Sequence, residues 1–381
     1  MREFTVWAPR ARSVDLLLPD ARHPMVPGEE GHWHVAAEAG PESTYAFSLD
    51  GGDPRPDPRG RRLPDGPHGW SQLFDPGAYA WTDDRWRGPD LEGSVIYELH
   101  VGTFTPEGTL DAAAERLDHL VDLGVGLVEL MPLAPFPGTH GWGYDGVAPY
   151  AVHEVYGGPA ALQRFVDAAH ARGVGVCLDV VYNHLGPDGN YLSSYSGDYF
   201  TDRYDNEWGD AIDFDGPSSP PVRELFIENA VYWIREFHVD GLRLDATQQI
   251  FDRSPRHLLA ELSARTRAAA AQRKIVLVAE NEPQDVIALR PVERGGWGLD
   301  ALWSDDFHHA ARVALTGRRE AYYTDYRGTA QELLSCVKRG LLYQGQHYVW
   351  QNKTRGTPVT TEPAAAFVFY LQNHDQVANQ L

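Results

Sequence analysis

From about residue 93 onward, apolar runs of strand length alternate with amphipathic stretches of helical length. That rhythm restricts the fold more than any other feature of the chain. The strand-like runs are Val95–Val101, Val125–Leu133, Gly175–Tyr182, Gly241–Ala246, Ile275–Glu280, Leu299–Trp303 and Ala365–Gln372. Helical patterns fall between them, at Leu110–Leu123, Ala160–Arg172, Val222–Phe237 and Pro255–Gln272, and at 307–316 and 328–340. Near-continuous apolar strands joined through helices imply a parallel sheet covered on both faces. Successive units of this kind predict an α/β fold of the (β/α)8 TIM-barrel type. A doubly wound sheet is the competing arrangement, but it lacks a Gly-rich phosphate loop after its first strand.

Residues 1–84 read differently. Phe4–Trp7, Val14–Leu18, His32–Val35 and Thr44–Leu49 are short and strand-like, and Gly-, Pro- and Asp-rich turns separate them. This spacing predicts a small all-β, immunoglobulin-like sandwich. The expected division is therefore a sandwich over 1–84 and a barrel over 85–381, with a loop subdomain at about 185–220. The rhythm stops with the seventh unit, so the expected barrel is truncated, without an eighth strand or a C-terminal β-domain. Its first and seventh strands should then carry unpaired edges.

Composition narrows the partners. A net charge of −21, from 33 basic and 54 acidic residues, argues against nucleic acid and anionic membrane surfaces. The N-terminus has no apolar signal core and no stretch reaches membrane-spanning length, so the expected location is cytoplasmic. Two cysteines, Cys177 and Cys336, make no disulfide framework, and Cys177 lies in an apolar run as a buried thiol.

In parallel barrels, chemistry collects where strands end at their C-terminal face. Here the third strand leads from Asp179 into Asn183 and His184. The fourth carries Arg243 and Asp245, the fifth ends at Glu280, and the seventh leads into Asn373, His374 and Asp375. Side chains alternate along a strand, so Arg243 and Asp245 share a face opposite Leu242 and Leu244. A buried charge must be paired or used, and the arginine can hold the aspartate ionised. A structural Arg–Asp pair would look the same on this hexapeptide alone. Acids on strands four, five and seven together argue for a site. A metal centre would prefer close His or Cys spacing, and neither HExxH nor paired CxxC is present. A carboxylate nucleophile beside a protonated carboxylic acid, roughly 5 Å apart, is what retaining glycosidases need.

These four stretches, Asp179–His184, Gly241–Ala246, Ala279–Glu280 and Asn373–Asp375, resemble the signature segments of the α-amylase superfamily, glycoside hydrolase family 13. The resemblance implies Asp245 as nucleophile, Glu280 as general acid/base and Asp375 as the carboxylate that grips sugar hydroxyls. It implies Arg243 as the group that orients Asp245. His184 and His374 become hydroxyl ligands in subsite −1, and Tyr144, in Gly141–Gly146, becomes the stacking platform. Asp179, Asn373 and Trp208 complete the implied substrate-binding set.

A finer resemblance, covering essentially the whole chain, is to the malto-oligosyltrehalose trehalohydrolase group. It rests on Val95–Phe104, Trp208–Pro217, Gly298–His309 and Gln372–Val377. It implies hydrolysis of the α-1,4 bond next to the terminal trehalose unit of malto-oligosyltrehalose or a related α-1,4-glucan, with no cofactor. Many amylases hold calcium through the residue at Asn183, whereas this group generally does without, so no metal is expected. Gln248 and Gln249 stand where many relatives carry a basic residue or histidine, which bears on the +1 and +2 subsites. Glucan branching, or glucan binding by a catalytically impaired form, are the competing functions. The loop after the third strand, with Tyr204, Trp208 and Phe214, is expected to contact the sugar.

Overall fold

The structure, a computed structural model, describes residues 1–378. The N-terminal part is a sandwich of two antiparallel sheets. One has three strands built on Arg2–Trp7, Val26–Pro27 and His32–Ala37. The other has four, with Val14–Leu18 and Thr44–Leu49 at its centre. Phe4, Val6, Leu16 and Phe47 point inward and are buried. Their alternation with exposed residues is the period-two pattern a half-buried strand requires.

The rest of the chain curls seven parallel strands into one sheet. They are β1 (Val95–Leu99), β2 (Val125–Leu130), β3 (Gly175–Val180), β4 (Gly241–Leu244), β5 (Val276–Ala279), β6 (Ala301–Trp303) and β7 (Phe367–Val368). They lie in chain order from one end to the other, and among the described residues β1 and β7 do not pair. Every residue of β3, β4 and β5 is buried, as expected for strands covered on both faces. At the two ends, Val95 is 51% and Leu371 65% exposed.

Three segments depart from the pattern read off the sequence. The run Leu110–Leu123 is two short helices, Leu110–Ala114 and Leu117–Asp122. The first closes early, with Arg116 N–H donating to the Ala113 carbonyl and Arg116 itself leaving helical geometry at ψ 0°. The expected seventh strand over Ala365–Gln372 is only two residues long. It follows a 3-10 turn at Ala364–Ala366 and, among the described residues, has a neighbour on one side only, so no second ladder holds the remaining backbone extended. The segment 317–363 adds a separate hairpin, Gln346–Tyr348 paired with Lys353–Arg355, which lies outside the curled sheet.

Candidate active site

Arg243 is the hub of the site. It is 1% exposed on β4, and its guanidinium lies 4.6 Å from the ring centre of Trp303 at the end of β6. Nη1 donates to both oxygens of Asp179 at 3.0 Å and to Asp245 Oδ1 at 2.5 Å. Nη2 lies 3.8 Å from Glu280 Oε2. One cation therefore reaches carboxylates from three adjacent strands. The parallel register creates this: Asp179 is paired with Arg243 across β3 and β4, and Arg243 with Val278 across β4 and β5.

Asp245 and Glu280 sit in unlike surroundings. Asp245 accepts from Arg243 and, through Oδ2, from Asn183 Nδ2 at 2.7 Å. Glu280 accepts from the backbone N–H of Ala246 at 2.5 Å. Burial pushes Glu280 up to about 8; Arg243 opposes the shift, and the charges of Asp245, Asp305 and Asp375 add to it. It is therefore a carboxylic acid at neutral pH. Ala246 holds φ +38°, a left-handed conformation that a non-glycine residue adopts at a cost. This bend turns its N–H toward Glu280 directly after the β4 carboxylate.

The remaining residues named from the sequence form a rim. Asp179 is buried and committed to Arg243 and to the Tyr144 hydroxyl, which donates to it at 2.6 Å. Tyr144 stacks on His374 with ring centres 4.8 Å apart. Asn183 spends its amide on Asp245 and its Oδ1 on His184 Nδ1. Burial lowers the pKa of His184, against the pull of Asp245, so its imidazole is neutral. Asn373 is buried and its Oδ1 accepts from the Asp375 N–H. Asp375 opens its side chain to solvent, 48% exposed, beside His374. Trp208, 47% exposed, lies over His184 with ring centres 5.5 Å apart.

Phe214 does not face the cleft, contrary to the expectation from its loop. It is 1% exposed and packs edge-on against Phe226, so its ring belongs to the core beneath the loop. Tyr204 stacks on Phe251 at 4.9 Å and hydrogen-bonds Asp215, which ties down the loop's own fold. Gln248 accepts from the Glu282 N–H, two residues beyond Glu280.

Sequence reasoning passed over Glu98, Glu129 and Trp142. Glu98 and Glu129 are register partners on β1 and β2. Glu98 accepts from His374, and Glu129 is 1% exposed with neither oxygen hydrogen-bonded. Burial, with Glu98 adding, raises Glu129 well above the usual carboxyl range, so it is protonated. An acidic residue inside an apolar strand was the signal, the same one that singled out Asp245. Trp142, 42% exposed, sits edge-on to His374 at 5.4 Å.

A family profile described as the alpha amylase catalytic domain matches residues 82–211. A malto-oligosyltrehalose trehalohydrolase of Arthrobacter ramosus is 49% identical over 100% of this chain and 67% of its own length. The chain belongs to the malto-oligosyltrehalose trehalohydrolase family. The likeness within this family extends to Saccharolobus solfataricus, whose malto-oligosyltrehalose trehalohydrolase is 40% identical over 99% of this chain and 66% of its own. The chain thus spans about two-thirds of the length of these trehalohydrolases. A solved structure of a Salmonella typhimurium protein assigned to the alpha-amylases superposes with a TM-score of 0.92. It is 40% identical and covers 98% of this chain and 64% of that one.

Proposed function

We propose that this chain is a retaining α-glucan hydrolase that cleaves the α-1,4 bond next to the terminal trehalose unit of malto-oligosyltrehalose and releases trehalose. The observation that carries the chemistry is the split between two neighbouring carboxyl groups on β4 and β5. Asp245 is held by Arg243 and Asn183, while Glu280 is pushed up to about 8. A carboxylate gripped by two donors beside a protonated carboxylic acid is the pair a retaining glycosidase needs as nucleophile and acid. Asp245 attacks the anomeric carbon as Glu280 protonates the departing glycosidic oxygen, leaving a glycosyl ester on Asp245. Glu280, now a carboxylate, then takes a proton from water, which attacks the ester and regenerates both groups. Arg243 offsets the charge of Asp245 between turnovers.

On this reading Asp375, Asn373 and His374 on one side, and His184 with Trp208 on the other, hold the sugar at the cleaved bond. Tyr144 forms the floor between them. Trehalose as the released unit is supported by the names of relatives 40–49% identical along the whole chain. The experiment is incubation of the purified protein with malto-oligosyltrehalose and chromatography of the products. Free trehalose with the shortened maltodextrin is the expected result. Branched glucan from amylose without trehalose, scored by iodine staining, would point to glycosyl transfer instead.

A further inference from the structure

The two ends of the curled sheet share no backbone ladder among the described residues, yet one contact joins them at the rim. Glu98, on β1, accepts the backbone N–H of His374 at 2.8 Å through Oε2 and the imidazole Nδ1 at 2.7 Å through Oε1. The partners are 276 residues apart in sequence. Both bonds come from one carboxylate to one residue, so they fix the position of the backbone and the rotation of the ring together. We infer that Glu98 is a positioning residue for the rim: it holds His374, and with it Asp375, at working distance across the open ends of the sheet and presents the imidazole Nε2 to a sugar hydroxyl. The inference rests on the glycosidase reading and adds to it a residue on the first strand.

The chemistry follows from the donor and acceptor inventory. A carboxylate only accepts, so Nδ1 must carry the proton it shares with Glu98. Nε2 is then left toward the cleft, 3.5 Å from Asp375 Oδ1. The imidazole meets charged or titratable groups on every side. Glu98 lies on β1, Asp375 follows it in the chain, the Tyr144 hydroxyl is 3.3 Å from Nδ1, and Arg243 and Asp179 stand behind Tyr144 on β4 and β3. Burial and the Arg243 charge disfavour the imidazolium, whereas Glu98 and Asp375 favour it, and the balance lies above the ordinary histidine value. A charged ring donates from both nitrogens, which suits a hydroxyl oxygen.

Glu98→Gln keeps the size of the side chain but removes the charge and can accept only one of the two bonds. The test has two arms on the same protein. The first is a 15N titration of the histidine rings in wild type and Glu98→Gln, with the His374 signals assigned by their loss in His374→Gln. The second is kcat/KM for malto-oligosyltrehalose across pH, with melting temperatures for each variant. The His374 titration in Glu98→Gln should fall by about one pH unit or more. Loss of the His374 charge should then open a decline in kcat/KM at lower pH than the one Glu280 sets near 8, and the value at neutral pH should drop by about 100-fold as the rim loses alignment. Glu98→Asp, which keeps the charge, should remove that earlier decline. An unmoved His374 titration would overturn the contact while leaving the glycosidase reading intact. A moved titration without that earlier decline would overturn the positioning role and leave Glu98 a structural tether. Wild-type protein without turnover on the substrate would instead overturn the glycosidase reading, and the ring titration would still decide the contact.

Discussion

β4 has a parallel ladder on each side, to β3 and to β5, whereas among the described residues β1 and β7 each have a single neighbour. The centre is buried throughout and places charge inside itself: Arg243 with Asp179, Asp245 and Glu280 within reach. Such a cluster is stable because Arg243 has more than one carboxylate to answer it. The ends are built the opposite way. Their strand faces meet solvent at Val95 and Tyr97, and side-chain contacts near Glu98 and His374 take the place of a ladder. The lesson is that precision at this candidate site is unequal: Asp245 and Glu280 are set by sheet register, and Asp375 by hydrogen bonds between loops and an edge strand.

The strongest way to break this contrast is at the centre. Asp245→Asn keeps the shape, and Arg243 and Asn183 keep their neighbours, so the fold should persist. Hydrolysis should fall by a factor on the order of 10,000 or more, since the attacking charge is gone. A variant that keeps most of its turnover would remove Asp245 from the nucleophile's role. Next, Glu280→Gln should stall cleavage of the natural glucan far more than cleavage of a glycosyl fluoride, whose leaving group needs no proton. In wild type the acid works only while protonated, so kcat/KM should decline as pH rises through about 8. Equal losses on both substrates would count against the assignment.

The comparison is sharpened by stability. Leu277, fully buried in β5, should cost about 2–5 kcal/mol when cut to alanine. Val95→Ala, on the exposed edge of β1, should stay within about 0.5 kcal/mol. Denaturant melts of the pair would measure this, and similar costs would mean that the sheet is evenly supported. Trp208→Ala should raise KM by about fivefold, roughly 1 kcal/mol of lost ring contact, with little change in melting temperature. A lowered melting temperature with unchanged KM would recast Trp208 as loop packing.

The smallest effect concerns acid. His308 is buried and pushed down to about 4 by burial, with Arg312 adding. An unfolded histidine titrates near 6.5, so between about 6.5 and 4 the unfolded chain binds a proton that the folded chain refuses. Stability should therefore fall as pH drops through that window. His308→Phe, which keeps a ring against Tyr370, should flatten the decline in melting temperature over the same range.

The same contrast explains how much was legible. β3, β4 and β5 declare themselves as unbroken apolar runs, and the charges at their ends are conspicuous because the surrounding strand is not. The register that brings Asp179 to Arg243 follows from parallel pairing, so the centre of the site could be named in advance. β7 could not be bounded, because Phe369, Tyr370 and Leu371 are as apolar as Phe367. Only the missing second neighbour ends the strand early. Glu98 was hidden for a different reason: its partner lies at the far end of the chain, and a single acid on an edge strand gives no sign of what it faces. Phe214 misled because a loop aromatic looks alike in sequence whether it faces a sugar or the core.

One apolar cluster runs without a break from Phe4, Val6 and Trp7 of the sandwich through the barrel strands to Phe367. The seam between the two parts lies on the excursion that follows β3: Trp7 packs edge-on against Tyr199, Phe47 against Tyr195, and the Tyr195 hydroxyl donates to the Pro56 carbonyl. A few residues further along, the same excursion carries Trp208 over His184. The sandwich and the barrel therefore differ in architecture while sharing one core. A scanning calorimeter should register one heat-absorption peak for both parts. A chimera that joins this barrel to a foreign sandwich would have to import the matching aromatics of the excursion as well. The unit that recombination can move intact is the sandwich together with the strap of chain it props up.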